Sequence, residues 1–425
     1  MNLPHYAPPF PTVRFIHTHH HRSRSTATTT SPLSRGRLST FGEFCRASLP
    51  FPIREAKYYR ELEAAVDVVE RACHLCVDVK SSLFSSDGRI VEKNDQTPVT
   101  VADFGVQALV SLELGKLFPS IPLVAEEDSA FVRSNNLEDP VVKAVTRQAS
   151  AEDKPWTHDD VLKAIDRGGK EAFTFGTKPA TYWVLDPIDG TRGFLKGSEA
   201  LYVVGLALVV EGEIVLGVMG CPNWQYDSSN ESTTEVQENR KNLAGSGIIM
   251  IAHIGCGVWT KRLSNMLYAT TKVINGWTRC FVDGCCLIHE ARFCAPDSQS
   301  SDSFPLSTTF STTTIADSAG NNQTLLLPTC CGSLCKYLMV ASGRAAVYIH
   351  QAKVQTSIKI WDHAVGIICV LEAGGKVTDW KGSQVDLAAD KDGRRIIYPS
   401  SGILVTNGNL HDQILDKISS VSSNV

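Results

Sequence analysis

No apolar run in this 425-residue chain reaches the length a membrane helix requires, about 18–20 residues. The longest candidate, residues 200–210, is stopped by Glu211 and Glu213 and reads as a buried strand. A surplus of either charge sign is also missing. Lys and Arg number 41 against 45 Asp and Glu, a net charge of −4, so neither nucleic acid nor an anionic membrane is expected as a partner. Internal repeats are lacking. Acidic residues are absent from Met1 to Gly42, a stretch of Ser, Thr, Pro and His punctuated by Arg14, Arg22, Arg24, Arg35 and Arg37. That is the composition of an organelle transit peptide, without the compact apolar centre of a secretory signal. A plain disordered tail shares the bias, and His17 and His19 to His21 belong to it rather than to a metal site.

Cysteine is not scarce. There are 13, an odd number, and without a secretory signal they do not read as a disulfide framework. Cys73 and Cys76 fall inside a helical pattern. Cys285/Cys286 and Cys330/Cys331 have no further pair at zinc-binding spacing. Buried, reduced thiols are expected.

The folded part is expected to begin near Phe51, giving residues 1–50 as leader, 51–245 as an N-terminal α+β domain and 246–425 as a C-terminal α/β domain. Leu62, Ala65, Val66, Val69, Cys73 and Cys76 recur at helical spacing over 55–83. Pro98 forces an extended approach to a second helix through Val106, Leu109, Val110, Leu112 and Leu117, ended by Pro119. Residues 121–125 read as a strand delivering Glu126-Glu127-Asp128, 135–151 as a polar surface insertion, 159–173 as a helix and 182–185 as a strand ending at Asp186. Residues 201–210 and 214–219 read as paired strands about a Glu-Gly turn. Residues 227–243 and 297–322 read as loops. Beyond them come strands at 345–349, 376–380 and 403–406 and helices from Asp362 and Leu410.

Four acidic segments stand where chemistry could use them. Asp103 lies on a helix approach, Glu126 and Glu127 follow a strand, Asp186-Pro187-Ile188-Asp189-Gly190-Thr191 follows another, and Asp362 precedes a helix. Carboxylates at strand ends and helix starts converge easily on a cleft, and hard oxygen ligands favour magnesium over zinc. Pro187 stiffens the turn, and Gly190 lets backbone approach an anion, with a phosphate cradle if a helix starts there. Singly, each feature has a plainer account: Asp362 fits an N-cap, Glu-Glu-Asp a solvated face, Asp-Gly a turn. Their joint occurrence points to a metal site.

The blocks Val124-Ala125-Glu126-Glu127-Asp128, Trp183-Val184-Leu185-Asp186-Pro187-Ile188-Asp189-Gly190-Thr191, Trp361-Asp362-His363-Ala364 and Glu372-Ala373-Gly374-Gly375 resemble the signatures of the lithium-sensitive, magnesium-dependent phosphatase superfamily. That group holds inositol monophosphatases, fructose-1,6-bisphosphatases and 3′(2′),5′-bisphosphate nucleotidases. Asp95-Gln96-Thr97-Pro98-Val99-Thr100 and Thr191-Arg192-Gly193-Phe194-Leu195-Lys196-Gly197 resemble the nucleotidase branch, and with the N-terminal stretch the likeness is to plant organellar forms. The resemblance spans roughly 55–418.

It implies a layered α-β-α-β-α sandwich and a monomeric enzyme acting on 3′-phosphoadenosine 5′-phosphate, in the chloroplast or alternatively the mitochondrion. Two to three Mg2+ ions would be held by Glu126, Asp186, the Ile188 carbonyl, Asp189 and Asp362. Asp103 and Thr191 would position and activate water. Gly190, Thr191, Ser333, Lys336 and Asp362 would contact the nucleotide. Where that family carries Arg after the Val-Tyr strand, this chain has His350, and Arg192 and Lys353 are the candidates to replace it. An inositol phosphate is the alternative substrate. A catalytically weak nucleotide-binding or redox-sensing protein is the alternative of another class.

Overall fold

A computed structural model describes residues 49–83, 90–92, 98–148, 156–169, 180–196, 200–225, 247–263, 276–296, 325–352, 357–388, 390 and 393–422. Within this set lie helices α1 (Tyr59–Leu83), α2 (Val101–Leu117), α3 (Ser129–Ser134), α4 (Glu138–Arg147), α5 (His158–Gly168), α6 (Thr191–Leu195), α7 (Ser333–Ala341), α8 (Ala364–Glu372) and α9 (His411–Ser422). Residues 1–48 of the expected leader, the segment 93–97, Lys353 and the two expected loops at 227–243 and 297–322 lie outside the described residues.

The larger sheet runs in the order β3 (Leu123–Ala125), β4 (Tyr182–Asp189), β5 (Val203–Val210), β6 (Glu213–Cys221), β7 (Ile248–His253), β8 (Gly257–Arg262) and β9 (Thr278–Cys280). Only the β3–β4 pair is parallel. Glu211 and Gly212 both take positive φ, 51° and 89°, which makes the tight turn of the β5–β6 hairpin. The second sheet runs β11 (Leu325–Pro328), β10 (Arg292–Ala295), β12 (Val347–Gln351), β16 (Gly402–Thr406), β14 (Lys376–Asp379). Small two-stranded pairs join β1 (Ile90–Glu92) to β2 (Pro98–Thr100) and β13 (Ile358–Lys359) to β15 (Ile396–Ile397).

Side-chain alternation along the strands sorts the core into layers. Trp183, Leu185, Leu206, Leu208 and Ile251 face Leu62, Val69 and Val106 of α1 and α2. Tyr182, Val184, Ala207 and Met250 face the other way, onto Leu334 and Leu338 of α7 and Val365 and Ile368 of α8. These helices also cover Tyr348 and Val405 of the second sheet. Its far face, with Phe293, Val347 and Leu404, is closed by Leu410, Ile414 and Ile418. The result is the expected helix–sheet–helix–sheet–helix sandwich.

Two expectations fail. The stretch 135–151, read as a polar insertion, contains α4. Leu137, Val141 and Val145 lie four residues apart, are buried, and pack in one cluster with Phe104 and Ala108 of α2 and Ile165 of α5. Asp362 is not the N-cap of α8. His363 holds that position, without a side-chain capping bond, which leaves the Asp362 carboxylate for the cleft.

Candidate metal centre and active site

Asp186 and Asp189 lie on β4, whose register shifts between them. Asp362 lies in the turn before α8. One ligand oxygen from each of the three falls within 4.8 Å of the others. No other cluster of metal-binding side chains occurs among the described residues. Glu126 is outside that tight group, but its charge reaches Asp186 and Asp362.

Burial is the main cause of the electrostatics here. It lifts the Asp186 carboxyl far above its ordinary range, and Asp189, Glu126, Asp362 and Asp103 push it further. Asp362 is lifted likewise by burial and then by Asp189 and Glu126, partly offset by a bond to Asp186 and by Lys359. Asp189 rises only to about 6, because Lys336 and the amides of Ser333, Leu334 and Cys335 favour its charge. Asp186 Oδ1 is buried with no hydrogen-bond partner. An orphaned carboxylate oxygen among like charges is costly unless a cation neutralises it. The donor set, all carboxylate oxygen, therefore fits a hard divalent ion such as Mg2+.

The neighbouring pair is equally defined. Thr191 Oγ1 lies 3.2 Å from Asp103 Oδ1 and 3.2 Å from the Ile188 carbonyl oxygen. Asp103 Oδ2 accepts from Thr100 N at 2.8 Å and Thr100 Oγ1 at 2.7 Å, so the capping box that starts α2 also fixes this carboxylate. Gly190, at φ 86°, turns the chain from β4 into the five-residue α6.

The α7 segment meets the site through Asp189. Ser333 N and Leu334 N donate to Asp189 Oδ1 and Oδ2 at 2.9 and 2.7 Å. A Cβ at Gly332 would collide with that carboxylate. Lys336 is buried, and its Nζ donates to the carbonyls of Cys331 and Gly332 at 2.7 and 2.6 Å. The sulfurs of the adjacent Cys330 and Cys331 lie against one another beside Gly332. Cys286 is exposed and Cys256, Cys280 and Cys285 are half-buried, so the expected burial does not hold for them. His350, at the end of β12, has Nδ1 3.2 Å from Tyr348 Oη and its ring 5.2 Å from that of His363. Arg192 is exposed.

One side chain at the site was not foreseen. Gln107, one helical turn past Asp103, is fully buried. Its Oε1 accepts from Glu127 N at 2.8 Å, and its Nε2 donates to the carbonyls of Glu127 and Ile165, each at 2.8 Å. It clamps the backbone directly after Glu126. Its i+4 spacing from Asp103 was the only signal available.

The sequence model described as the Inositol monophosphatase family matches residues 59–423. The chain belongs to the inositol monophosphatase family. A protein of Arabidopsis thaliana with the provisional name of a mitochondrial 3′(2′),5′-bisphosphate nucleotidase is 64% identical over 377 residues, 89% of this chain and 91% of the relative. A 3′(2′),5′-bisphosphate nucleotidase of Oryza sativa is 34% identical, covering 85% of this chain and 94% of its own. Within the family the chain thus groups with the bisphosphate nucleotidases and is an enzyme of the phosphomonoesterase class. The inositol monophosphatase family implies a divalent metal, and Asp186, Asp189 and Asp362 offer a site for one. Among solved structures, the Thermotoga maritima IMPase shares the fold at a TM-score of 0.50 and 20% identity, over 86% of this chain and 99% of its own. Among the described residues, no helix is long and apolar enough to cross a membrane.

Proposed function

We propose that this chain hydrolyses the 3′-phosphate of 3′-phosphoadenosine 5′-phosphate to AMP and inorganic phosphate, clearing a by-product of sulfate transfer. The sulfated analogue, 3′-phosphoadenylyl sulfate, is a second substrate. The observation that carries this reading is the convergence of Asp186, Asp189 and Asp362 within 4.8 Å, close to the Thr191–Asp103 hydrogen bond. The names of the nucleotidase relatives support the substrate class.

Glu126, Asp186, the Ile188 carbonyl, Asp189 and Asp362 would hold two to three Mg2+. Such ions, when bound, neutralise the phosphate, acidify water and stabilise the leaving oxygen. The Thr191 hydroxyl hands its proton toward Asp103 Oδ1 and so can take one from the attacking water. Thr100 keeps Asp103 from rotating away. Gly190 and Thr191 lie at the start of α6, where backbone amides can meet the phosphate. Ser333 and Lys336 belong to the segment that would meet the rest of the nucleotide, with Lys336 holding its backbone and His350 nearby. Of the two organelles expected, we infer the mitochondrion, on the name of the 64% identical relative.

The test is phosphate release from 3′-phosphoadenosine 5′-phosphate and from inositol 1-phosphate, using a chain beginning near Phe51, with Mg2+ and with or without Li+. Fast, lithium-sensitive release from the nucleotide is expected. Release mainly from the inositol phosphate would keep the metal site and overturn the substrate.

A further inference from the structure

We propose that Arg395, in the loop before β15, is a positioning residue that sets the distance between the two ligand segments that lie off β4, the one bearing Glu126 and the one bearing Asp362. The proposal rests on the metal-dependent reading above. Glu126 follows β3 and Asp362 precedes α8, far apart in sequence and in different layers. Both must hold their places for a shared ion to form.

Arg395 touches both. Its Nη1 donates to the carbonyl of Ala125 at 2.9 Å, the peptide that leads into Glu126. Its Nη2 donates to the carbonyl of Gly168 at 3.1 Å and to that of Gly169, at the end of α5. This is the negative pole of that helix, where a guanidinium is favoured. Gly168 is itself close against β3, for a Cβ there would lie 2.9 Å from Ala125 Cβ. On the other side, the carbonyl of Arg395 accepts from Ile360 N at 2.8 Å. The Ile360 carbonyl in turn accepts from His363 N at 3.1 Å and Ala364 N at 2.8 Å, closing the turn that carries Asp362. The guanidinium carbon also lies 5.9 Å from the Trp361 ring.

The loop is shaped for this reach. Arg394 takes φ 53°, a left-handed conformation unusual outside glycine. Asp390 ties the turn by accepting from the amides of Arg395 and Ile396 at 3.2 and 3.3 Å. Side chain and main chain of one residue thus bridge two ligand segments. A planar fork can bind several carbonyls at once, where an ammonium cannot span the same set.

The experiment compares the full chain with Arg395→Gln and Arg395→Lys. Mn2+ binding to metal-free protein is measured by the EPR signal of the free ion, alongside kcat, KM and the melting temperature in EDTA. Loss of an outer-shell partner typically costs about 10–100-fold in metal affinity or activity. Arg395→Gln should weaken Mn2+ binding by a factor in that range and lower kcat at fixed Mg2+, with KM for the nucleotide changed less than threefold. Arg395→Lys, which keeps the charge, should fall between. Mn2+ binding within twofold of the parent in Arg395→Gln would overturn the proposal, as would an Arg395→Lys protein equal to the parent throughout. Should Arg395→Gln fail to fold, the Lys variant decides alone. A parent that binds no Mn2+ would sink the metal reading itself, a failure visible without any variant.

Discussion

Asp186 carries a heavy electrostatic load, its carboxyl pushed far above its ordinary range by burial and then by its acidic neighbours. It is buried among four carboxylates, with one oxygen lacking a partner. Asp186→Asn should therefore cut turnover by about a thousandfold or more, since metal neutralisation of transition-state charge is lost. In EDTA, however, its melting temperature should match or exceed the parent's, because a buried like-charge repulsion has been removed. A variant with full activity would remove Asp186 from the metal site. Gln107→Leu should behave oppositely. It removes the side-chain bonds to Glu127 N, Glu127 O and Ile165 O, which should cost about 2–4 kcal/mol by urea titration, and activity should fall as the Glu126 backbone loosens. The two residues also show what a sequence can and cannot disclose. The carboxylates sit in contiguous blocks whose spacing carries their meaning. Gln107 and Arg395 act on backbone carbonyls 20 to 270 positions away, and no local pattern marks such partners.

Helices and strands repeat that contrast. The apolar run of β4, buried on both faces, and the 3.6-residue spacing of α1 were legible because each element carries its own pattern. The pattern in α4 was present too, but Glu138, Asp139 and Lys143 hid it, and the burial of Leu137, Val141 and Val145 depends on α2 and α5 arriving there. The plainer account of Asp362 as a cap fails for a related reason: His363 takes the N-cap position, and the approach of β4 sets the Asp362 carboxylate beside Asp186 and Asp189. How tightly α8 lies on the larger sheet gives a prediction. A Cβ at Gly217 of β6 would stand 2.8 Å from Ile368 and 2.9 Å from Val365. Gly217→Ala should cost about 1–3 kcal/mol by overpacking and, by shifting α8, lower kcat as well. Unchanged activity with the expected loss of stability would mean that Asp362 is held independently of α8. At the other end, His411 docks α9 on the second sheet. Its Nε2 is 2.9 Å from Thr378 Oγ1 and its Nδ1 is 3.0 Å from Thr406 Oγ1. Thr378 donates to the Asp379 carbonyl and Thr406 accepts from Gly408 N, so the network assigns the proton to Nε2 and leaves Nδ1 as acceptor. Burial, with the charge of Lys376, depresses this imidazole to about 4. A depressed histidine contributes stability that is complete above the unfolded value of about 6.5 and lost as pH falls toward 4, about 2–3 kcal/mol at most. His411→Gln should flatten the urea-unfolding profile over that interval; an unaltered profile would assign the acid sensitivity elsewhere.

At the scale of the molecule, the five layers bring together what no single layer holds. Asp103 comes from α2 on one face of the larger sheet, Asp186 and Asp189 from the sheet, and Asp362 from the approach to α8 on its other face. The site therefore sits across the layers, and its unneutralised charge works against their packing. A cation that binds only this assembled state must stabilise the whole chain by mass action. At a concentration a hundred times its dissociation constant the gain is about 2.7 kcal/mol, or about 3–6 °C in melting temperature for a chain of this size. Mg2+ added to EDTA-treated protein should produce a shift of that order, and Ca2+ should give its own, because the donors are hard oxygens without geometric discrimination beyond size. The Asp186→Asn protein should show almost none. A parent whose melting temperature is indifferent to Mg2+ would mean that the three carboxylates are held together by protonation instead, in which case lowering the pH through about 6, where Asp189 titrates, should stabilise the metal-free chain with or without the ion.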